Sequence, residues 1–241
     1  HGDPGADLGG TLNLPVAEGV AARVTGYMVS DGGYIDNPLL GEKNINRTRV
    51  TGGRATLRFA PGDDWTIDVG GVIQSTHGAD SQYADRDAPA LTRSSPIAQG
   101  FDSLYKLGEL VVAKDWGDLR FLSSTGIVGQ SLDERYDATQ PGDTPRLFTQ
   151  NNVTRLFSTE NRLSRPMIDG WGGVIGATYI DNRSRIARSL GPLDGLAPVT
   201  GVVNRGREAT VYGELSVQFA SWLTATAGGR YTHSRLSGEG R

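Results

Sequence analysis

The sequence predicts an all-β fold, an antiparallel up-and-down transmembrane β-barrel sheet of about ten strands. Three observations predict it. First, apolar and polar residues alternate with period 2, most clearly over 208–232, EATVYGELSVQFASWLTATAGGRYT. Second, the connections between such runs alternate strictly between short turns and long polar loops. Third, no stretch carries a sustained helical i, i+3, i+4 pattern.

The elements follow in order. Residues 8–14 read as a short, weak strand and 15–19 as a turn. Over 20–30, Ala22, Val24, Gly26 and Met28 share one face; Arg23, Thr25 and Tyr27 share the other. Residues 31–46 form a long loop broken by Gly32, Gly33, Pro38 and Gly41. In 47–60, Ala55, Leu57 and Phe59 oppose Arg54, Thr56 and Arg58. After a turn at 61–64, 65–76 sets Trp65, Ile67, Val69 and Ile73 against Thr66, Asp68 and Gln74. A loop over 77–103 precedes a strand over 104–114, whose faces the sequence leaves open. The turn 115–118 leads to a strand over 119–131 and a long loop over 132–151. Strand 152–165, turn 166–170 and strand 171–183 follow, the last with Trp171, Ile175, Ala177 and Tyr179 on one face. Loop 184–207 leads to the closing hairpin. There Val211, Leu215, Val217, Phe219, Leu223, Ala225 and Tyr231 form an apolar face, with Glu214 and Arg230 opposite.

Runs of about 9–11 residues match the length of a transmembrane β-strand. Four long loops at alternate connections place all of them at one end of the meander, an asymmetry typical of such barrels. All four tryptophans, Trp65, Trp116, Trp171 and Trp222, fall at or beside the short turns, as an interfacial aromatic girdle would.

Composition agrees with this. The 241 residues include 34 Gly and no Cys, which excludes disulfides and thiolate metal sites. The net charge of −3 comes from scattered charges, so no nucleic-acid partner is expected. No run of 18 apolar residues exists to form a transmembrane helix.

Four stretches resemble the β-barrel of TonB-dependent outer-membrane receptors: VAARVTGYMVSDGGYIDN (20–37), TGGRATLRFAPGDDWTIDVGG (51–71), FSTENRLSRP (157–166) and ATVYGELSVQFASWLTATAGGRYTHS (209–234). The resemblance implies a barrel of about 22 strands around an N-terminal plug. It further implies uptake of a scarce small molecule, such as a ferric siderophore, cobalamin or an oligosaccharide. Energy would come from the TonB–ExbB–ExbD complex acting through the plug, in the outer membrane of a Gram-negative bacterium. Residues 1–241 would then be a partial barrel domain without the plug, surrounded by outer-membrane lipid. The chain ends LSGEGR rather than on an aromatic residue, and 8–14 is a poor closing partner for the last strand. The alternative is a complete ten-stranded barrel with an enzymatic or adhesive role.

Candidate ligand contacts fall in two groups. Arg54, Arg58, Glu214 and Arg230 lie on inward faces, beside Arg23, Asp68, Glu160, Arg162 and Glu208. Such residues also form the ordinary polar wall of a water-filled lumen. Tyr34, Tyr83, Arg86 and Tyr136, with Arg146, lie in the expected loops. No cofactor, metal site or catalytic residue is expected. His77, near Asp80, and His233, beside Ser234, are the strongest acid–base pairings present. Metal-binding and nucleotide-binding motifs are missing.

Overall fold

Residues 2–240 are described by a computed structural model; His1 and Arg241 lie outside the described residues. The chain forms β1 (Ala6–Ala17), β2 (Val20–Asp31), β3 (Thr48–Phe59), β4 (Trp65–Gly78), β5 (Phe101–Trp116), β6 (Leu119–Asp137), β7 (Arg146–Ile168), β8 (Trp171–Pro192), β9 (Ala197–Ala220) and β10 (Leu223–Gly240). They form one sheet in chain order, every pair antiparallel. Among the described residues β1 and β10 do not pair with each other, so the sheet is open.

Cross-strand partners share a face, so register carries each strand's alternation across the whole sheet. Val24 faces Ala55, Ala55 faces Gly71, and Gly71 faces Gly108. This settles β5: Gly108, Leu110 and Val112 join the apolar face, and Leu107, Glu109 and Val111 the polar one. The apolar face is unpartnered, with Leu110, Ile127, Phe157, Ile175, Val211 and Leu215 all exposed.

Several expected boundaries are corrected. The strands on the loop side run further than their apolar alternation does. The expected loop 132–151 shrinks to 138–145, and 184–207 to 193–196, because β6 to β9 continue as paired strands. Tyr136 and Arg146 therefore lie in strands, not in a loop. Two long loops remain, 32–47 and 79–100. The first strand is 12 residues rather than seven or so, and fully exposed. The expected turn 166–170 narrows to Asp169–Gly170, whose φ values of 50° and 80° are both left-handed. Asp-Gly suits a two-residue turn of this kind, whose twist matches the flanking strands.

Most of the buried residues lie off the sheet faces, where the two remaining loops pack on each other; Ala113, Leu147 and Thr210 are buried within strands. Ile35, Ile45 and Ile97 are buried between the loops. Asn46 Oδ1 accepts from the Tyr34 and Ile35 amides at 2.7 and 2.8 Å, and its Nδ2 donates to Gln82 Oε1 at 2.8 Å. Asn37 Nδ2 donates to the Ser95 carbonyl at 2.7 Å. Buried amides that would strand a loop in an apolar core are thus satisfied by asparagine side chains.

Candidate functional site

The polar face of the sheet is a wall of paired charges. Arg58 meets Asp68 through two hydrogen bonds, Nε to Oδ1 and Nη2 to Oδ2, each 2.7 Å. Arg54 Nη2 lies 3.4 Å from Glu109 Oε1. Arg230 Nη2 lies 3.6 Å from Glu208 Oε1. Tyr212 donates to Glu160 at 2.5 Å and Tyr27 to Gln74 at 2.6 Å. Of the sequence-expected inward residues, Arg54, Arg58 and Arg230 are therefore engaged with carboxylates. Glu214 is exposed on the same face with no polar partner among the described residues.

The loop candidates are not brought to one point. Tyr34 is exposed beside the Asn46 hub, and Arg86 is exposed in loop 79–100. Tyr83 is stacked under Arg93, whose guanidinium lies 5.2 Å from its ring. Arg93 in turn lies 3.5 Å from Asp80, and both are buried. Tyr136 belongs to a different group, at the loop end of the polar face. Its hydroxyl donates to Glu134 Oε1 at 2.7 Å, and its ring contacts Phe148 at 5.9 Å. Gln150 donates to Glu134 Oε2 at 2.8 Å and accepts from Arg188 Nε at 2.7 Å. Glu134 and burial push the Tyr136 phenol up to about 12, so it remains a donor at neutral pH.

Sequence reasoning missed Glu134, Gln150 and Arg188 because it placed them in loops. The signal was present: Glu134 and Tyr136, and Phe148 and Gln150, continue the period-2 spacing of their strands. At the same end, loop 79–100 is tied to β6, since Ser95 Oγ donates to Asp137 Oδ2 at 2.7 Å.

The histidine pairings change. His77 Nδ1 lies 2.7 Å from Asp102 on β5, while Asp80 is engaged by Arg93. His233 and Ser234 are neighbours on one strand and point to opposite faces. Ser234 donates to Glu208 at 3.2 Å, and His233 is registered with Ala209. Neither arrangement is a nucleophile–base pair.

At the turn edge, Trp65, Trp116, Trp171 and Trp222 are all exposed in the short-turn region. Arg165 lies over the Trp171 ring at 4.0 Å and donates to the Trp171 carbonyl at 2.5 Å. Lys114 lies over Trp65 and pairs with Asp64.

A family model described as TonB dependent receptor-like, beta-barrel, matches residues 3–241. Among curated proteins, none matches the chain by sequence. Solved structures with a similar fold include the ferric yersiniabactin uptake receptor FyuA from Yersinia pestis, at TM-score 0.83 and 15% identity over 98% of this chain. The ferripyoverdine receptor of the outer membrane of Pseudomonas aeruginosa, bound to ferripyoverdine, gives 0.73 and 12% over 98%. The ferric-catecholate import receptor Fiu from E. coli K12 gives 0.71 and 12% over 96%. The match spans 39%, 37% and 44% of those chains.

Proposed function

The chain belongs to the TonB-dependent receptor β-barrel family, and we propose that it forms part of the barrel wall of an outer-membrane receptor for energy-coupled ligand uptake. In this reading the apolar face meets outer-membrane lipid and the polar face lines the lumen. The ligand class is a ferric siderophore, the kind of cargo named for the similar receptors. A plug elsewhere in the receptor takes up the lumen and couples it to the TonB–ExbB–ExbD complex. The remaining strands of a larger barrel satisfy the open edges of β1 and β10.

The observation that carries this reading is the separation of the two sheet faces. Between Trp171 and Asp181 the outward column of β8 is Gly173, Ile175, Ala177 and Tyr179. Ten residues at about 3.3 Å each, tilted about 40°, rise about 25 Å, the height of a barrel's apolar band. On the other face, Arg58–Asp68, Arg54–Glu109 and Tyr212–Glu160 form a hydrated polar wall. Glu134, Tyr136, Gln150 and Arg188, at the loop end of that wall, are proposed with Tyr34, Tyr83 and Arg86 as ligand-capturing groups. Glu214 and the paired arginines would meet the cargo deeper in.

The test is uptake of radioiron as ferric siderophores by cells carrying or lacking the gene that encodes this segment, with and without TonB. The expected result is loss of uptake of one siderophore in both single deletions. Unchanged uptake of every ferric siderophore tested would reject the cargo class. Recovery of the protein outside the outer-membrane fraction would reject the membrane reading itself.

A further inference from the structure

The loop end of the polar face holds two arginines that no carboxylate neutralises among the described residues. On β6 to β8 this end is built of three successive rows: Glu134, Gln150 and Arg188; then Tyr136 and Phe148; then Arg146. Glu134 is the one carboxylate there, and both its oxygens are taken, by the Tyr136 hydroxyl at 2.7 Å and Gln150 Nε2 at 2.8 Å. Gln150 Oε1 in turn accepts from Arg188 Nε at 2.7 Å. That relay fixes the guanidinium by its Nε side and leaves Nη1 and Nη2 with no hydrogen bond or ion pair among the described residues. The Arg146 side chain is likewise unpaired, and only its backbone amide is engaged by a side chain, the Thr139 hydroxyl. Both arginines are half-buried. Deeper on the same face, Arg54, Arg58 and Arg230 each meet a carboxylate.

The Tyr136 and Phe148 rings, 5.9 Å apart, lie between the two cations. Arg146 is four residues along β7 from Gln150, the cross-strand partner of Arg188. The two α-carbons therefore stand about 14 Å apart. A planar carboxylate fits the free Nη1–Nη2 edge of Arg188 with two parallel hydrogen bonds. A neutral ligand would take both arginines out of water and return no acceptor, which is costly. A catecholate chelate brings negative charge, but on oxygens already bound to iron, and offers no such planar fork.

We infer that the cargo is a ferric chelate with free carboxylates on two sides of its body, one held by Arg188 and one by Arg146. The body of the chelate lies on Tyr136 and Phe148. This rests on the proposed uptake reading and narrows its cargo to the carboxylate-bearing class. Glu134 and Gln150 are positioning residues, since they act by aiming Arg188.

The experiment measures receptor-dependent radioiron uptake by cells carrying the whole receptor. The probes are the ferric complexes of citrate, of a trihydroxamate bearing two appended carboxylates, of the methyl ester of that chelator, of an unsubstituted trihydroxamate and of a tris-catecholate. Uptake of the carboxylate-bearing probes is expected, with a loss of at least 10-fold on esterification. Arg146→Gln combined with Arg188→Gln should raise the half-saturating concentration of the acid roughly 10- to 100-fold and abolish the preference for acid over ester. Arg183→Gln, on the opposite face of β8, should change nothing. Immunoblots of the outer-membrane fraction normalise each variant, and the acid-to-ester ratio is independent of how much receptor is present. Equal uptake of acid and ester, or wild-type half-saturation in the double glutamine variant, would overturn the carboxylate site. Uptake confined to the probes without carboxylates would overturn it too, and would leave the uptake reading standing. No receptor-dependent uptake of any probe would reject both.

Discussion

Tyr212 of β9 donates to Glu160 of β7 at 2.5 Å, and to reach it the ring passes over Gly176 of β8. Gly176 is registered with Tyr212, and a Cβ there would collide with the ring. Glycine is therefore required by close approach, since only a bare backbone leaves room for the phenol to cross a strand. Gly176→Val should displace the ring and cost about 1–3 kcal/mol. Tyr212→Phe removes only the hydrogen bond and should cost about 0.5–1.5 kcal/mol. Urea unfolding midpoints of the receptor check both, and an unshifted midpoint for Gly176→Val would refute the packing argument.

The Arg58–Asp68 pair has good bidentate geometry, but the arginine side chain is 60% exposed. Solvent screening then limits its contribution to about 0.2–1 kcal/mol. A double-mutant cycle with Arg58→Ala and Asp68→Ala should give a coupling in that range. A large fall in ligand affinity without a matching loss of stability would assign Arg58 to cargo binding rather than to the wall. A coupling well above 1 kcal/mol would mean that this part of the lumen is drier than its exposure implies.

How much was legible from the chain depended on what the alternation reported. Where one face is apolar, period 2 is unambiguous, and the face assignments of Val24, Leu57, Asp68, Glu214 and Arg230 all agree with the register. Beyond the apolar band neither face is consistently apolar. There Arg183 and Arg185 alternate with Asn182 and Ser184, and apolar residues such as Ile186 and Val202 fall on the polar face, so pairing left no clean hydrophobic alternation and strands passed for loops. The loop core was illegible for another reason. Ile35, Ile45 and Ile97 come together through tertiary packing and the Asn37 and Asn46 hydrogen bonds, with no local period to announce it. Among the candidate site residues, the strand positions were readable, while partners such as Glu134 and Arg188 required the register.

Asp137 makes the loop cap sensitive to acid. Burial alone would raise its carboxyl, but hydrogen bonds from Thr139 and Ser95 and the nearby Arg93 charge hold it below its usual value. A depressed folded pKa stabilises above the unfolded value of about 3.9 and is lost as pH falls through the folded value. The cap is therefore expected to hold from pH 7 to about pH 4 and to loosen below that. Hydrogen exchange of residues 92–99, corrected for intrinsic rates, reads the change. Asp137→Asn should remove the acid step; an unaltered step in that variant would locate the titrating group elsewhere.

The strongest test of the sheet's orientation uses two adjacent residues. Leu110 is exposed on the outward face, in one row with Val69, Thr125 and Thr159. Val111 points the other way, in one row with Asp68, Ser124 and Glu160. Both lie between Trp116 at the turn edge and Lys106 at the loop edge, near the middle of the apolar band. In the proposed placement, arginine at position 110 stands in hydrocarbon and costs about 2–4 kcal/mol. Arginine at position 111 would enter the hydrated wall between two carboxylates and cost less than about 1 kcal/mol. Folding of the receptor into lipid vesicles, followed by urea titration, separates the two. Equal costs for Leu110→Arg and Val111→Arg would mean that neither face meets lipid, and the receptor reading would fall with them.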